Sequence, residues 1–227
     1  MKKALLIIVF LFSATIGTVS AHAGHDSREA SVLVNGVRLN SGANHFASGK
    51  LFVSLDAFAY LFGKDAAVAA DNRTAVFNGV TLKEIRLYKG EPTAPIRDLA
   101  AAIGAQQVSW NEENQEAYVL ALPAGSIQLT PVVPAMGEHW GNLQDLPTGP
   151  IYGVYEGKLV FIEYMIAQED FIKGTSHVNL SGMKGVPSPA VIQTDIEFQE
   201  HGHEGFEIPH YDIHAYFITD EEQQQIK

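Results

Sequence analysis

Apolar and polar positions divide this chain into three stretches of different rhythm. Ala4 to Phe12 is an unbroken apolar run behind Lys2 and Lys3. From Val32 to Leu122, short alternating runs are broken twice by apolar residues at helical spacing. Leu55, Phe58 and Phe62 share one helical face behind Ser54, a residue type suited to the N-cap. Ile96, Leu99 and Ile103 share another behind Pro95, which suits a first helical turn. Gly63 and Gly104 follow at the left-handed position that ends such helices. Beyond Ile151 the period is two: "IYGVYEGKLVFIEYMI" reads as two strands around Glu156-Gly157, and "AVIQTDIEFQE" as another. "PHYDIHAYFI" is a further strand, aromatic, partly β-branched and introduced by a proline. "TDEEQQQIK" reads as a helical turn capped by Thr219 or Asp220, and "KGTSHVNLSGMKGVPSP" as a long surface loop.

The middle stretch repeats itself. Val34-Asn35-Gly36-Val37 and Phe77-Asn78-Gly79-Val80 lie 43 residues apart, each followed by a leucine two residues on, and Gly63 and Gly104 lie 41 apart. Asn-Gly pairs favour tight hairpin turns because both residues tolerate positive φ. The unit is strands, short helix, hairpin, used twice. The predicted fold class is therefore α+β: an N-terminal repeated strand-helix-hairpin domain over residues 30–122, then a mostly antiparallel β domain over 126–227. The proline-bearing stretch from Leu122 to Gly137 marks the boundary, placed at Leu122 to Thr130.

The leading run changes the picture of where the protein works. Two lysines, an apolar core and small residues ending at Ala21 or Ala23 read as a secretory signal peptide, residues 1–23. A retained membrane anchor is the alternative, but the run is short for a span, and no other segment is long and apolar enough to cross a bilayer. Losing the leader removes two lysines and no acids, so the formal charge moves from −11 to −13. An acidic exported protein is poorly suited to nucleic acid; divalent cations or an envelope component are better partners. There is no cysteine, so neither disulfides nor thiolates are available. The core must stand on the 46% hydrophobic content, and any metal must be held by His, Asp, Glu or backbone oxygen. Cleavage after Ala21 would also expose His22, near His25, to copper.

The histidines concentrate in the last stretch. On a strand, His210, Asp212, His214 and Tyr216 share one face, and Tyr211, Ile213, Ala215 and Phe217 share the other, an ordinary core face. His139 sits between Gly137 and Gly141, whose freedom lets the backbone turn around the imidazole. Glu163 lies inside an apolar strand, where a carboxylate is costly unless paired or bound to an ion. The expected metal set is therefore His139, Glu163, His210 and His214, with Asp212 behind a ligand histidine, around a divalent ion such as zinc, copper or iron. A closed polar network is the alternative. The cluster Glu200-His201-Gly202-His203-Glu204 reads as a solvated loop lining the entrance. His45 stands alone and reads as a loop residue.

Two resemblances go with these residues. Phe52-Val53-Ser54-Leu55, Pro95-Ile96-Arg97-Asp98-Leu99, Val108-Ser109-Trp110-Asn111 and Ala117-Tyr118-Val119 make the stretch from Ser31 to Leu122 resemble the copper amine oxidase N-terminal-like domain of exported bacterial proteins. That resemblance implies a stalk or accessory module without the oxidase's copper or quinone chemistry. "MGEHW", "GPIYGVYEGKLVFIEYMI" and "GHEGFEIPHYDIHAYF" make Pro131 to Thr219 resemble an exported bacterial β-rich family of unassigned activity. The functional expectation is a secreted envelope protein whose C-terminal domain binds a divalent metal or small ligand. A metal-dependent hydrolase or oxidoreductase and a purely structural protein are the alternatives. No nucleophile elbow, phosphate loop or HExxH is visible.

Overall fold

The structure, a computed structural model, describes residues 30–183 and 186–227. The expected signal peptide, its cleavage sites and the His22–His25 pair lie outside the described residues. The chain begins with β1 (Ser31–Val34) and β2 (Val37–Arg38), joined by Asn35 and Gly36, both at positive φ. Next come β3 (His45–Ala47), β4 (Lys50–Ser54) and α1 (Leu55–Leu61). The Ser54 side chain accepts from the Ala57 amide and caps that helix. A three-stranded sheet follows, β5 (Ala66–Val68), β6 (Ala75–Phe77) and β7 (Val80–Leu82), with Asn78-Gly79 as its second turn. Then come β8 (Arg86–Tyr88), β9 (Glu91–Pro95) and α2 (Ile96–Ile103), which ends at Gly104 in the left-handed region. The first half closes with β10 (Gln107–Asn111) and β11 (Glu116–Leu120). β3, β4, β9 and β8 form one four-stranded sheet, and β10, β11, β1 and β2 another, in which β1 and β11 run parallel.

The second half is one antiparallel sheet. Its strands are β12 (Ile127–Gln128), β13 (Glu138–Gly141), β14 (Ile151–Tyr155), β15 (Lys158–Ala167), β16 (Gln193–Gln199) and β17 (His210–Tyr216), in the order β12-β13-β14-β15-β17-β16. Two short helices complete it, α3 (Gln168–Lys173) and α4 (Asp220–Gln223). The second carries a capping box: Thr219 and Glu222 satisfy each other's backbone amides.

The α+β expectation is corrected by this architecture. The described residues hold seventeen strands against four helices, none longer than eight residues, so the fold is mostly β, spread over several sheets. The reason lies in the length of the apolar stripes. Each lasts two turns, enough to bury Leu55, Phe58 and Ala59, or Ile96, Leu99, Ala100 and Ala102, but not to build a helical layer.

The first half surrounds a core of Val32, Val34, Val53, Phe58, Phe77 and Leu99, with their neighbours. A second apolar cluster joins the halves: Leu120 and Leu122 pack with Tyr152, Val154, Leu159 and Phe217. Asn35 fastens the same seam. Its side-chain amide donates to Ala121 O and to Pro187 O, each at 2.8 Å, and its oxygen accepts from the Ala121 amide at 2.8 Å. This contact covers one face of the six-stranded sheet and leaves the other to be covered differently. No helix among the described residues is long and apolar enough to cross a membrane.

Candidate metal centre

The strand register assembles the second face of the large sheet. Glu163 on β15 lies opposite His214 on β17, Met165 opposite Asp212, and Phe161 opposite Tyr216. Across β14, Gly153 lies between His139 and Phe161. A side chain at Gly153 would sit 2.2 Å from the Phe161 ring. Its absence lets that ring lie over the sheet, edge-on to His139 at 5.5 Å and to His214 at 4.8 Å. The C-terminal segment covers one end, where Gln223 donates to the Tyr216 hydroxyl and Ile226 packs with Phe161 and Tyr216. The hairpin between β16 and β17 covers the other.

The expected inside and outside of β17 are exchanged. His210, Asp212, His214 and Tyr216 are the buried face, and Tyr211, Ile213 and Ala215 are only partly buried. The rule that the apolar face turns inward fails because the polar face has partners of its own. His210 and His214 are fully buried, Asp212 is 1% exposed and Glu163 2%.

At the hairpin end, His203, His210 and Asp212 form a cluster that could hold a metal ion. One ligand atom from each lies within 4.8 Å of the other two. His210 Nε2 is 3.2 Å from His203 Nε2 and 3.0 Å from Asp212 Oδ1, and His203 Nε2 is 3.8 Å from Asp212 Oδ2. Ligands bonded tetrahedrally at about 2.0–2.2 Å lie about 3.3–3.6 Å apart; the two imidazole nitrogens stand close to that spacing, and each faces a different oxygen of Asp212. The tautomers point the same way. His210 Nδ1 is 2.6 Å from Ile208 O, and His203 Nδ1 is 3.1 Å from Glu204 O. A carbonyl only accepts, so both Nδ1 atoms carry hydrogen, and in the neutral rings both Nε2 lone pairs face the carboxylate. This is how metal-binding imidazoles are commonly oriented. Asp212 Oδ1 is buried without a hydrogen bond, despite its nearness to His210. With both rings neutral these are three facing acceptors, which repel, and an orphaned buried group costs about 1–3 kcal/mol; a cation between them, or a proton on one ring, would offset both.

The hairpin that delivers His203 is tightly built. Gly202 has φ +68°, and a Cβ there would lie 2.4 Å from Phe206 O. His203 and Phe206 exchange backbone hydrogen bonds, and the Phe206 ring stacks on His210 at 4.5 Å. His203 itself remains 43% exposed and forms the open side of the cluster.

Glu163 forms a second group. Its Oε1 is 3.2 Å from His214 Nε2 and its Oε2 is 3.9 Å from His139 Nε2, while His214 Nδ1 faces Glu197 Oε2 at 3.6 Å. Neither ring nitrogen of His214 is aligned for a hydrogen bond. Burial opposes charge on His214, but the contact and charge of Glu163, with Asp212 and Glu197, outweigh it and raise its pKa. Burial lowers the pKa of His139 against the pull of Glu163. Burial raises that of Asp212, helped by the charge of Glu163 and opposed by His210, His203 and His214.

The four expected ligands, His139, Glu163, His210 and His214, thus share one face, but in two groups. His139 and His214 both face the Glu163 carboxylate, with the Phe161 ring edge-on to each, and His210 turns to Asp212 and His203. Asp212, expected behind a ligand, is at the front, and His203, expected in a solvated loop, completes the cluster. The signal for His203 lies in Gly202: a tight turn one residue before an imidazole, closing onto the strand that carries His210.

No protein-family model matches the chain, and no curated protein matches it in sequence. Among solved structures, the chain is similar to the hypothetical protein TTHB210 of Thermus thermophilus, at 18% identity over 41% of this chain and 83% of that one, with a TM-score of 0.38. A likeness of that extent carries no argument about fold or function.

Proposed function

We propose that this is an exported envelope protein that binds one divalent transition-metal ion through His203, His210 and Asp212, with the first half as its scaffold. The observation that carries the reading is the convergence of two imidazole lone pairs and a carboxylate whose buried oxygen has no other partner. Two nitrogens and one oxygen form a donor set that zinc, copper(II) and non-haem iron(II) accept. The apolar leader, the acidic charge and the absence of cysteine support an exported, oxygen- and nitrogen-liganded site. Titration of tag-free, chelator-stripped protein with zinc, copper(II) and iron(II) tests it. One equivalent of at least one ion is expected to bind the native chain and none to bind His210→Ala or Asp212→Asn. Full uptake by those variants would sink the assignment and leave a polar network in its place.

A second reading rests on the donor count. Three protein ligands leave a coordination position for water or substrate, and Glu163 is a buried carboxylate on the neighbouring strand. A metal-dependent hydrolase or oxidoreductase would use that position. Turnover by the ion-loaded chain, lost in Glu163→Gln while the ion stays bound, would select this reading over simple binding.

A further inference from the structure

We infer that β16 is the docking edge for an extended, positively charged polypeptide segment, which adds to the large sheet as a seventh strand. The inference is independent of the ion. β16 is an edge strand of seven residues, and β17 is its only ladder partner among the described residues. Proteins commonly protect such edges with lysine, proline, a bulge or inward-pointing charges; β16 has no lysine or proline and its register with β17 runs without a shift, so its guard is the inner-face pair Asp195 and Glu197.

Its two faces describe the segment that would fit. On the outer face, Ile196 is 64% exposed and Phe198 42%. Phe198 leans on the Tyr211 ring at 5.0 Å, and Phe171 of α3 meets the same ring at 4.9 Å. An apolar shelf therefore continues from the sheet to the edge. On the inner face the edge carries Asp195 and Glu197. From Asp195 to Glu207 the chain has five carboxylates and no lysine or arginine. An added strand would place alternate side chains beside these acids and the intervening ones over the shelf. Complementarity asks for lysine or arginine at every second position and apolar residues between.

The same charges argue against a second copy of this chain. In antiparallel β16–β16 pairing with inner faces aligned, three registers overlap five or more of the seven residues. One sets Asp195 opposite itself, one sets Asp195 opposite Glu197, and one sets Glu197 opposite itself. Like charges directly opposite destabilise a pair, so the edge repels its own copy and selects a basic partner.

The test uses three labelled seven-residue peptides with the full chain, read by fluorescence anisotropy. One alternates lysine with valine, one alternates glutamate with valine, and the third is the lysine peptide N-methylated at alternate residues. The lysine peptide is expected to bind, and the glutamate peptide to bind at least tenfold more weakly. N-methylation on the ladder-forming side should cost at least tenfold, because it removes backbone donors without changing charge. In Asp195→Lys, a half-buried edge-strand variant whose folding is checked by circular dichroism, the preference between the lysine and glutamate peptides should narrow at least tenfold. Equal binding of all three peptides, or an unchanged preference in Asp195→Lys, would overturn the inference. So would a concentration-dependent dimer in sedimentation that excludes the lysine peptide, which would make a second copy the occupant.

Discussion

The two halves of this molecule bury polar groups in opposite ways. In the first half, Asn35, Asn44, His45, Ser54 and Thr93 are buried, and each makes a hydrogen bond. The exception is the Ser109 hydroxyl, partnerless where β10 meets Gly157 of the second half. In the second half, Glu163, His210, Asp212 and His214 are buried together, and Asp212 Oδ1 and both nitrogens of His214 have no hydrogen bond. Burial with satisfied bonds is what folding alone produces. Burial with converging, unsatisfied donors is what a ligand completes. The contrast is what the proposed division, a scaffold half and a metal-binding half, would produce.

The largest effect should separate stability from binding. Leu99→Ala, in the packed centre of the first core, is expected to lower unfolding free energy by about 2–5 kcal/mol in urea titrations, with ion uptake per folded chain unchanged. His210→Ala is expected to abolish ion uptake. In chelator it should show only the cost of losing a buried ring that stacks on Phe206 and bonds Ile208 O. It should also remove the ion-dependent gain, about 2.7 kcal/mol at an ion concentration a hundred times the dissociation constant. A Leu99→Ala protein that folds but binds no ion would break the division between the halves.

A smaller effect should appear at the seam. Asn35→Ala strands the Ala121 amide and removes the bonds to Ala121 O and Pro187 O. The expected cost is about 1–3 kcal/mol, equal with and without ion, because the seam lies on the face opposite the histidines. A cost that changes on ion loading would show that the two faces communicate.

The smallest effect concerns pH in the ion-free protein. His214 has a raised pKa when folded, so the folded state holds its proton longer than the unfolded state does. Its contribution is fully present below the ordinary histidine value of about 6.5 and is lost as pH rises through the folded value. Asp212 is also raised, and its contribution falls as pH climbs above about 3.9. His139 is lowered, so its contribution has the opposite sign and grows as pH rises toward about 6.5. Thermal melts in chelator should therefore decline above neutrality, and His214→Gln should flatten that decline. A native profile already flat there would remove the proposed charge on His214.

Much of the backbone is legible from pattern. Alternation locates β14, β15, β16 and β17, the positive-φ residues Asn35, Gly36, Asn78 and Gly79 form the expected turns, and Thr219 caps the last helix. Fold class is not legible, because a two-turn apolar stripe reads as helix without revealing that it cannot make a layer. The inward face of β17 escapes the pattern for a deeper reason. Hydrophobicity ranks side chains singly, while His210, Asp212 and His214 are buried by what surrounds them. Phe161 at Gly153 and His203 on its hairpin are contacts across strands and loops that no local spacing encodes.

The parallel pairing of β1 with β11 bears on how the chain matures in time. Ser31 pairs with Glu116 and Val34 with Val119, so this ladder closes a loop of most of the first half. Such distant contacts form late, since the loop's entropy is lost before the contact rewards it. A polypeptide emerging amino end first holds β1 against β2 alone until Glu116 to Leu120 arrive. Until then Val32 and Val34, fully buried in the finished protein, have no sheet neighbour on their other side. That interval is when a chaperone would find them, and a chain cut short before Leu120 would never leave it.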